Sequence, residues 1–239
     1  MPLLALALLM PAPSVAAVCQ GVRPGALIRV GDQACTMNFL FRDKHGQRYI
    51  GTAGHCVLDA ESIQIWRGAR GPAATDGAGS KIGTVAYAAY SASYEKKLDF
   101  ALVRLSPKVS SAPSMCGWGG PRGINTQNPD GLIELRWYGQ GDVLGQISPQ
   151  RSGYAYGMPE DDFVFFNGPA VTGDSGSAVI DAEGHGVGVF VTVGVHTYST
   201  DPSHLATNGH VGSGGLLRLM PQLKRAEKEL RSTLRLIPG

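Results

Sequence analysis

The chain has 239 residues, of which 33 are Gly and 15 Pro while only 17% are charged, a balance that suits a turn-rich all-β protein better than a helical one. A net charge of +2 gives no electrostatic reason to expect nucleic acid or an acidic membrane surface as a partner. The length is ample for a core and common for one functional unit built of β-barrels.

Residues 1 to 17 combine an apolar stretch, Met1 to Met10, with Pro11, Pro13 and a small-residue exit at Val15-Ala16-Ala17. These are the features of a secretory signal peptide cleaved after Ala17, although no Lys or Arg precedes the stretch. It is too short and too broken by proline to span a bilayer, so no membrane association is expected after cleavage. Cys19, Cys35, Cys56 and Cys116 all follow the cleavage site, which fits an oxidising compartment and allows three pairings.

Short runs rich in Val, Ile, Phe and Tyr then recur between turn clusters and read as antiparallel strands over 26–30, 36–42, 49–52, 62–66, 82–87 and 99–105. Residues 106–131 hold three prolines before Asn128-Pro129-Asp130-Gly131 and read as a connection. Further strands are expected over 132–138, 143–147, 163–166, 177–180 and 186–195. In the last of these Val187, Val189, Val191, Val193 and Val195 alternate with apolar or small residues, the pattern of a strand buried on both faces. After Pro221 the period changes: Leu223, Ala226, Leu230 and Leu234 share one face of a helix, and Lys224, Arg225, Lys228 and Arg231 the other. Glu227 and Glu229 interrupt that basic face, which reads as solvated.

Three segments carry chemistry. A serine hydroxyl is a poor nucleophile unless a base lies within hydrogen-bond reach and a carboxylate orients that base. Thr52-Ala53-Gly54-His55-Cys56, Leu98-Asp99-Phe100-Ala101-Leu102 and Gly173-Asp174-Ser175-Gly176-Ser177 supply the three groups in the order His, Asp, Ser. That order separates the arrangement from those of subtilisin and the α/β-hydrolases. The chain resembles the chymotrypsin/trypsin-like serine peptidases, and more closely their bacterial secreted branch.

The resemblance implies two antiparallel six-stranded β-barrels with a C-terminal helix: a leader over 1–17, then one peptidase domain over 18–239, with barrels at about 26–106 and 131–218 and the helix at about 221–236. It implies Ser175 as nucleophile, His55 as general base and acid, Asp99 as the orienting carboxylate, and the backbone N–H groups of Gly173 and Ser175 as the oxyanion hole. It selects Cys35 with Cys56, leaving Cys19 with Cys116. Thr192 stands where relatives carry a hydroxyl near the aspartate, with a plain strand residue as the alternative, and Val193 and Gly194 continue a strand that pairs with substrate. Pro169 stands six residues before Ser175, where Lys- or Arg-specific relatives carry aspartate; with Ala170 and Gly194 also small and uncharged, an apolar residue is expected before the scissile bond.

No cofactor is expected. No metal is expected either, since no two cysteines have Cys-x₂-Cys spacing. The chain departs from the family pattern at Ser177, usually Gly; it has no Cys beside Ser175, no Ile-Val-Gly-Gly terminus, and no room over 18–25 for a large pro-region. Asp174 then needs an internal cation. Arg136 and Arg151 are the candidates, and a turn at Ser148-Pro149-Gln150 favours Arg151. The expected activity is a secreted serine endopeptidase acting on protein or peptide substrates, against an esterase with the same triad or a non-catalytic binding protein on this fold.

Overall fold

The structure is a computed structural model in which residues 19–158, 163–193 and 213–239 are described. The expected leader and Gly194 lie outside them. The first half holds β1 (Leu27–Val30), β2 (Gln33–Thr36), β3 (Leu40–Asp43), β4 (Arg48–Thr52), β5 (Ser62–Ile65), β6 (Ala73–Asp76), β7 (Lys81–Tyr90) and β8 (Asp99–Leu105). The second half holds β9 (Gly123–Ile124), β10 (Leu132–Tyr138), the short helix α1 (Asp142–Ile147), β11 (Gln150–Tyr156), β12 (Phe163–Asn167), β13 (Ala178–Asp181), β14 (His185–Val193) and β15 (Ser213–Arg218). Helix α2 (Leu219–Leu230) and β16 (Leu234–Leu236) end the chain.

The second sheet closes on itself in the order β13-β10-β11-β12-β15-β14, with β14 returning to β13 and β9 added in parallel at one edge. The first sheet runs β3-β4-β8-β7-β6-β1-β2. Its ring closes because residues 33–43 act as one bent strand. Met37 N–H donates to Ala26 O at 2.8 Å on the β1 side, and Asn38 N–H donates to Gly51 O at 2.8 Å on the β4 side. The protein is therefore all-β, with two six-stranded barrels; β5 and β16 lie outside the first ring.

Trp137, Phe166 and Phe190 fill the second barrel, all buried, with Trp137 and Phe166 ring centroids 5.1 Å apart. Aromatic pairs at this spacing contribute roughly 0.5–1.5 kcal/mol beyond area burial. The first barrel is filled by Phe39, Phe41, Ile50, Tyr87 and Phe100, and the same core takes in Leu219, Leu223 and Ala226 of α2. No helix among the described residues is long and apolar enough to cross a membrane.

Several elements correct the sequence reading. The run 143–147 is not a strand but α1, since a short apolar run does not declare its period. The next segment, 150–156, is a strand the sequence hides: its buried positions are Arg151, Gly153 and Ala155, while Tyr154 and Tyr156 face solvent. Strand β15 is hidden too, because Gly214 and Gly215 leave room for Phe166 and Phe163 where side chains would otherwise mark the strand. The C-terminal helix ends at Leu230 rather than 236. Arg231 takes a left-handed C-cap at φ 53, its N–H donating back to Lys228 O, and Leu234 opens β16, which pairs antiparallel with β3.

Candidate active site

His55 follows β4 in a turn where Gly54 abuts Ala89 O, leaving no space for a side chain. Asp99 opens β8 opposite Tyr90. Because β4 and β8 are neighbours, the two side chains meet: Asp99 Oδ1 accepts from the His55 backbone N–H at 2.8 Å, and Asp99 Oδ2 lies 2.7 Å from His55 Nδ1. A carboxylate on Nδ1 fixes the proton there and leaves Nε2 as an acceptor. Burial pushes the His55 pKa down, whereas the charge of Asp99 and its hydrogen bond push it up and prevail, leaving it above 6.5. The imidazole side chain is 27% exposed and faces a cleft of about 300 Å³.

Ser175 comes from the other barrel, in the turn before β13. Thr36 N–H donates to Ser175 O at 2.8 Å, and Gly176, at φ 90, packs on Thr36 O, Thr52 Oγ1 and the Ala53 amide, two residues from His55. Any Cβ at Gly176 would collide with that seam. The turn is wound tightly: Asp174 N–H donates to Val171 O, Ser177 N–H to Asp174 O and Gly176 N–H to Phe190 O. Among the described residues the N–H groups of Gly173 and Ser175 donate to no backbone carbonyl. Gly173 itself stands at φ 94, which favours glycine. These two amides flank Asp174 and could donate to a negatively charged oxygen.

Asp174 is fully buried. Its carboxylate is met by Arg151 Nη2, by Val171 N–H at 3.0 Å and by Gly141 N–H at 3.2 Å. Burial still holds its pKa above the ordinary value against these donors. Arg151 is the partner, reached from β11 rather than from the expected turn, while Arg136 pairs with Glu134 at the surface. Arg151 Nη1 also donates to Pro169 O at 2.9 Å, so one buried guanidinium ties the Asp174 turn to the segment bearing Pro169 and Ala170.

The disulfides join Cys35 to Cys56, with Cα atoms 6.3 Å apart, and Cys19 to Cys116 at 5.9 Å. The first links the end of β2 to the residue after His55. The cleft is walled by Tyr90, Lys97, Leu98, Phe163, Val191, Thr192 and Leu217 around His55 and Asp99; Pro169, Ala170 and Val193 are not among its walls. Thr192 Oγ1 donates to Val193 O at 3.3 Å, not to Asp99, which supports the plain strand alternative. Ser177 is buried, and its hydroxyl has no partner among the described residues.

Sequence reasoning missed Thr36, which donates through Oγ1 to Gly173 O and accepts from Gln140 N–H, both at 3.0 Å, and so braces the Ser175 turn from the first barrel. It missed the cleft walls Tyr90, Lys97, Phe163 and Leu217 as well. An apolar residue in a strand carries the same signal whether it fills a core or lines a cleft.

The fold has counterparts among solved structures. Thermobifida fusca Protease A superposes with a TM-score of 0.58 at 17% identity, over 91% of this chain and 99% of its own. A Nocardiopsis protease gives 0.57 at 20% identity, over 90% and 98%, and a glutamic-acid-specific serine protease 0.59 at 18% identity, over 90% and 100%. No curated protein matches the sequence. The family model Trypsin matches residues 44–212, from β4 through the His55, Asp99 and Ser175 segments and on past β14. With that match spanning most of the chain and two six-stranded barrels, the first carrying a His–Asp pair, the protein belongs to the trypsin family of serine-type peptidases.

Proposed function

We propose that this peptidase is an exported endopeptidase that cleaves peptide bonds through Ser175, His55 and Asp99 by way of an acyl-enzyme. Ser175 Oγ attacks the scissile carbonyl carbon while His55 Nε2 takes its proton. The oxygen that becomes negative is received by the N–H groups of Gly173 and Ser175. His55 then hands the proton to the leaving amine, and water attacks the acyl-enzyme by the same route in reverse. Asp99 keeps the imidazole in the required tautomer and offsets the charge it acquires.

The observation that carries the reading is the division of the Asp99 carboxylate between the backbone N–H and Nδ1 of His55, which fixes both the position and the tautomer of the base. Export is supported by the two disulfides and by the apolar, small-residue-terminated stretch at 1–17. Pro169, six residues before Ser175 where Lys- or Arg-specific relatives carry aspartate, supports an apolar residue before the scissile bond.

Digestion of a random peptide library by mature protein tests this directly. Internal cleavage after apolar residues, abolished by Ser175→Ala, is the expected result. Hydrolysis of matched esters without any peptide cleavage would replace it with the esterase reading, and predominant cleavage after Lys or Arg would overturn the pocket assignment.

A further inference from the structure

Asp99 is delivered to His55 by backbone that would not stay there unaided. Lys97, two residues upstream, has φ 49, a left-handed conformation that glycine adopts freely and lysine does not. Such a residue persists only where its surroundings over-determine it. Here they come from the far end of the chain. Gln222 Nε2 on α2 donates to the Lys97 carbonyl at 2.9 Å, and Arg225 Nη1, nearly one turn on, donates to the same oxygen at 3.1 Å. Ser91 N–H then donates to Leu98 O at 2.8 Å, and Asp99 enters β8 opposite Tyr90. The turn that aims the Asp99 carboxylate is thus gripped by α2 on one side and by the segment after β7 on the other.

Gln222 is a poor residue for docking a helix and nothing more. It is 1% exposed, on the face of α2 that also buries Leu219, Leu223 and Ala226, and its Oε1 has no partner among the described residues. A buried polar atom without a partner costs stability. Leucine there would bury without that cost, and the Lys97 carbonyl would keep Arg225. An amide kept in an apolar interface, with its donor on the backbone that launches the site's carboxylate, has another use.

We propose that Gln222 is a positioning residue for Asp99, its side-chain amide pinning Lys97 in the left-handed backbone that aims the carboxylate at His55. This rests on Asp99 being the partner of the catalytic base, as proposed above. The role separates activity from stability, which a purely structural contact does not.

The test is Gln222→Leu in the full chain, assayed for turnover of an activated nitrophenyl ester across pH and for thermal unfolding. The expected result is a kcat about tenfold lower with KM within twofold, and an unfolding midpoint equal or higher. The acid limb of the pH profile should move to lower pH. The charged and titratable groups facing the His55 ring are Asp99 from β8, Lys97 from the preceding turn and Tyr90 from β7, and a loosened Asp99 raises His55 less. In a Lys97→Gly background, where φ 49 needs no help, Gln222→Leu should cost at most twofold. Activity and stability falling together with an unmoved acid limb would overturn the proposal, as would an equal loss in the Lys97→Gly background. Asp99→Asn, run in parallel, separates the two levels: near-normal turnover in that variant would defeat the reading of Asp99 itself and not the grip of Gln222.

Discussion

At His55 two opposed effects set the charge, and the balance makes a signed forecast. Burial favours the neutral ring and Asp99 favours the protonated one, and Asp99 prevails. On the proposed mechanism His55 must be neutral to accept the Ser175 proton, so activity should fall as pH drops through a value above about 6.5. The raised pKa also means that the His55–Asp99 pair stabilises the fold fully below the unfolded pKa and loses that contribution as pH rises through the folded one, so the enzyme gains activity over the window in which it gives up this increment. Asp99→Asn removes both upward influences and leaves burial, so its acid limb should move below that of the wild type while kcat drops by roughly 10⁴-fold. A pH–rate profile of the two proteins checks both; an acid limb that moves upward in Asp99→Asn contradicts the assignment. A second forecast at this scale concerns Arg151. Its guanidinium and Asp174 are both out of water, and removing one partner of such a pair costs about 3–5 kcal/mol because the other charge stays buried. Arg151→Met should therefore lower the midpoint in denaturant sharply and slow turnover by loosening the Gly173–Ser175 amides. Arg136→Met breaks a part-exposed pair with Glu134, a bond to Ala182 O and a contact over the Trp118 ring, none of them on a buried charge, and should cost clearly less, with about 1 kcal/mol or less from the ion pair. Equal effects would mean that Asp174 is held by its backbone donors alone.

The elements vary in how far the sequence declares them, and the reasons are physical. Strands with side chains matched to burial, such as Asp99–Leu105 and Leu132–Tyr138, are legible to the residue because one face or both must be apolar. Strand β11 is not, since it inverts the usual pattern: the charge that neutralises Asp174 points inward at Arg151, and the aromatics point outward. The helix α2 is legible in type but not in its end, because Leu234 continues its apolar face by chance of spacing while the left-handed Arg231 and pairing with β3 decide the matter. The His55, Asp99 and Ser175 segments stand out because the proposed acyl transfer demands those residue types in recognisable settings; the Lys97 turn and its Gln222 contact carry no such mark. The Cys35–Cys56 bridge is an element-scale staple, closing the loop that carries β3, β4 and the His55 turn. Replacing both cysteines by Ala should lower stability by about 3 kcal/mol on loop-closure entropy, read as the shift in urea midpoint times the slope. A loss below about 1 kcal/mol would show that β3 and β4 already hold the turn.

For the whole molecule the decisive feature is that the residues of the proposed triad are divided between the barrels. His55 and Asp99 come from the first barrel and the Ser175 turn from the second, joined through Thr36, Gly176 and the Ala53 amide. The chain's end reinforces this seam. After leaving the second barrel it places α2 on the first core, adds β16 to β3, and finishes with Ile237 N–H on Leu40 O and Gly239 N–H on Pro121 O, both at 2.9 Å. Truncation after Thr233 removes those ladders, so the unfolding, expected as a single calorimetric transition in the intact chain, should split or broaden, with activity lost at the lower step; an unchanged single transition would show that the barrels are coupled by the Thr36 seam alone. The most direct measurement is at that seam. Mature protein treated with a fluorophosphonate probe at pH 8 should carry one label, located by peptide mapping on Ser175, with labelling lost in Ser175→Ala and slowed by several orders of magnitude in His55→Ala, and kcat in the double variant should be little worse than in either single one, because the residues act as a unit. Labelling at another serine, undiminished labelling in His55→Ala, or no labelling of folded protein would contradict an activated Ser175 nucleophile.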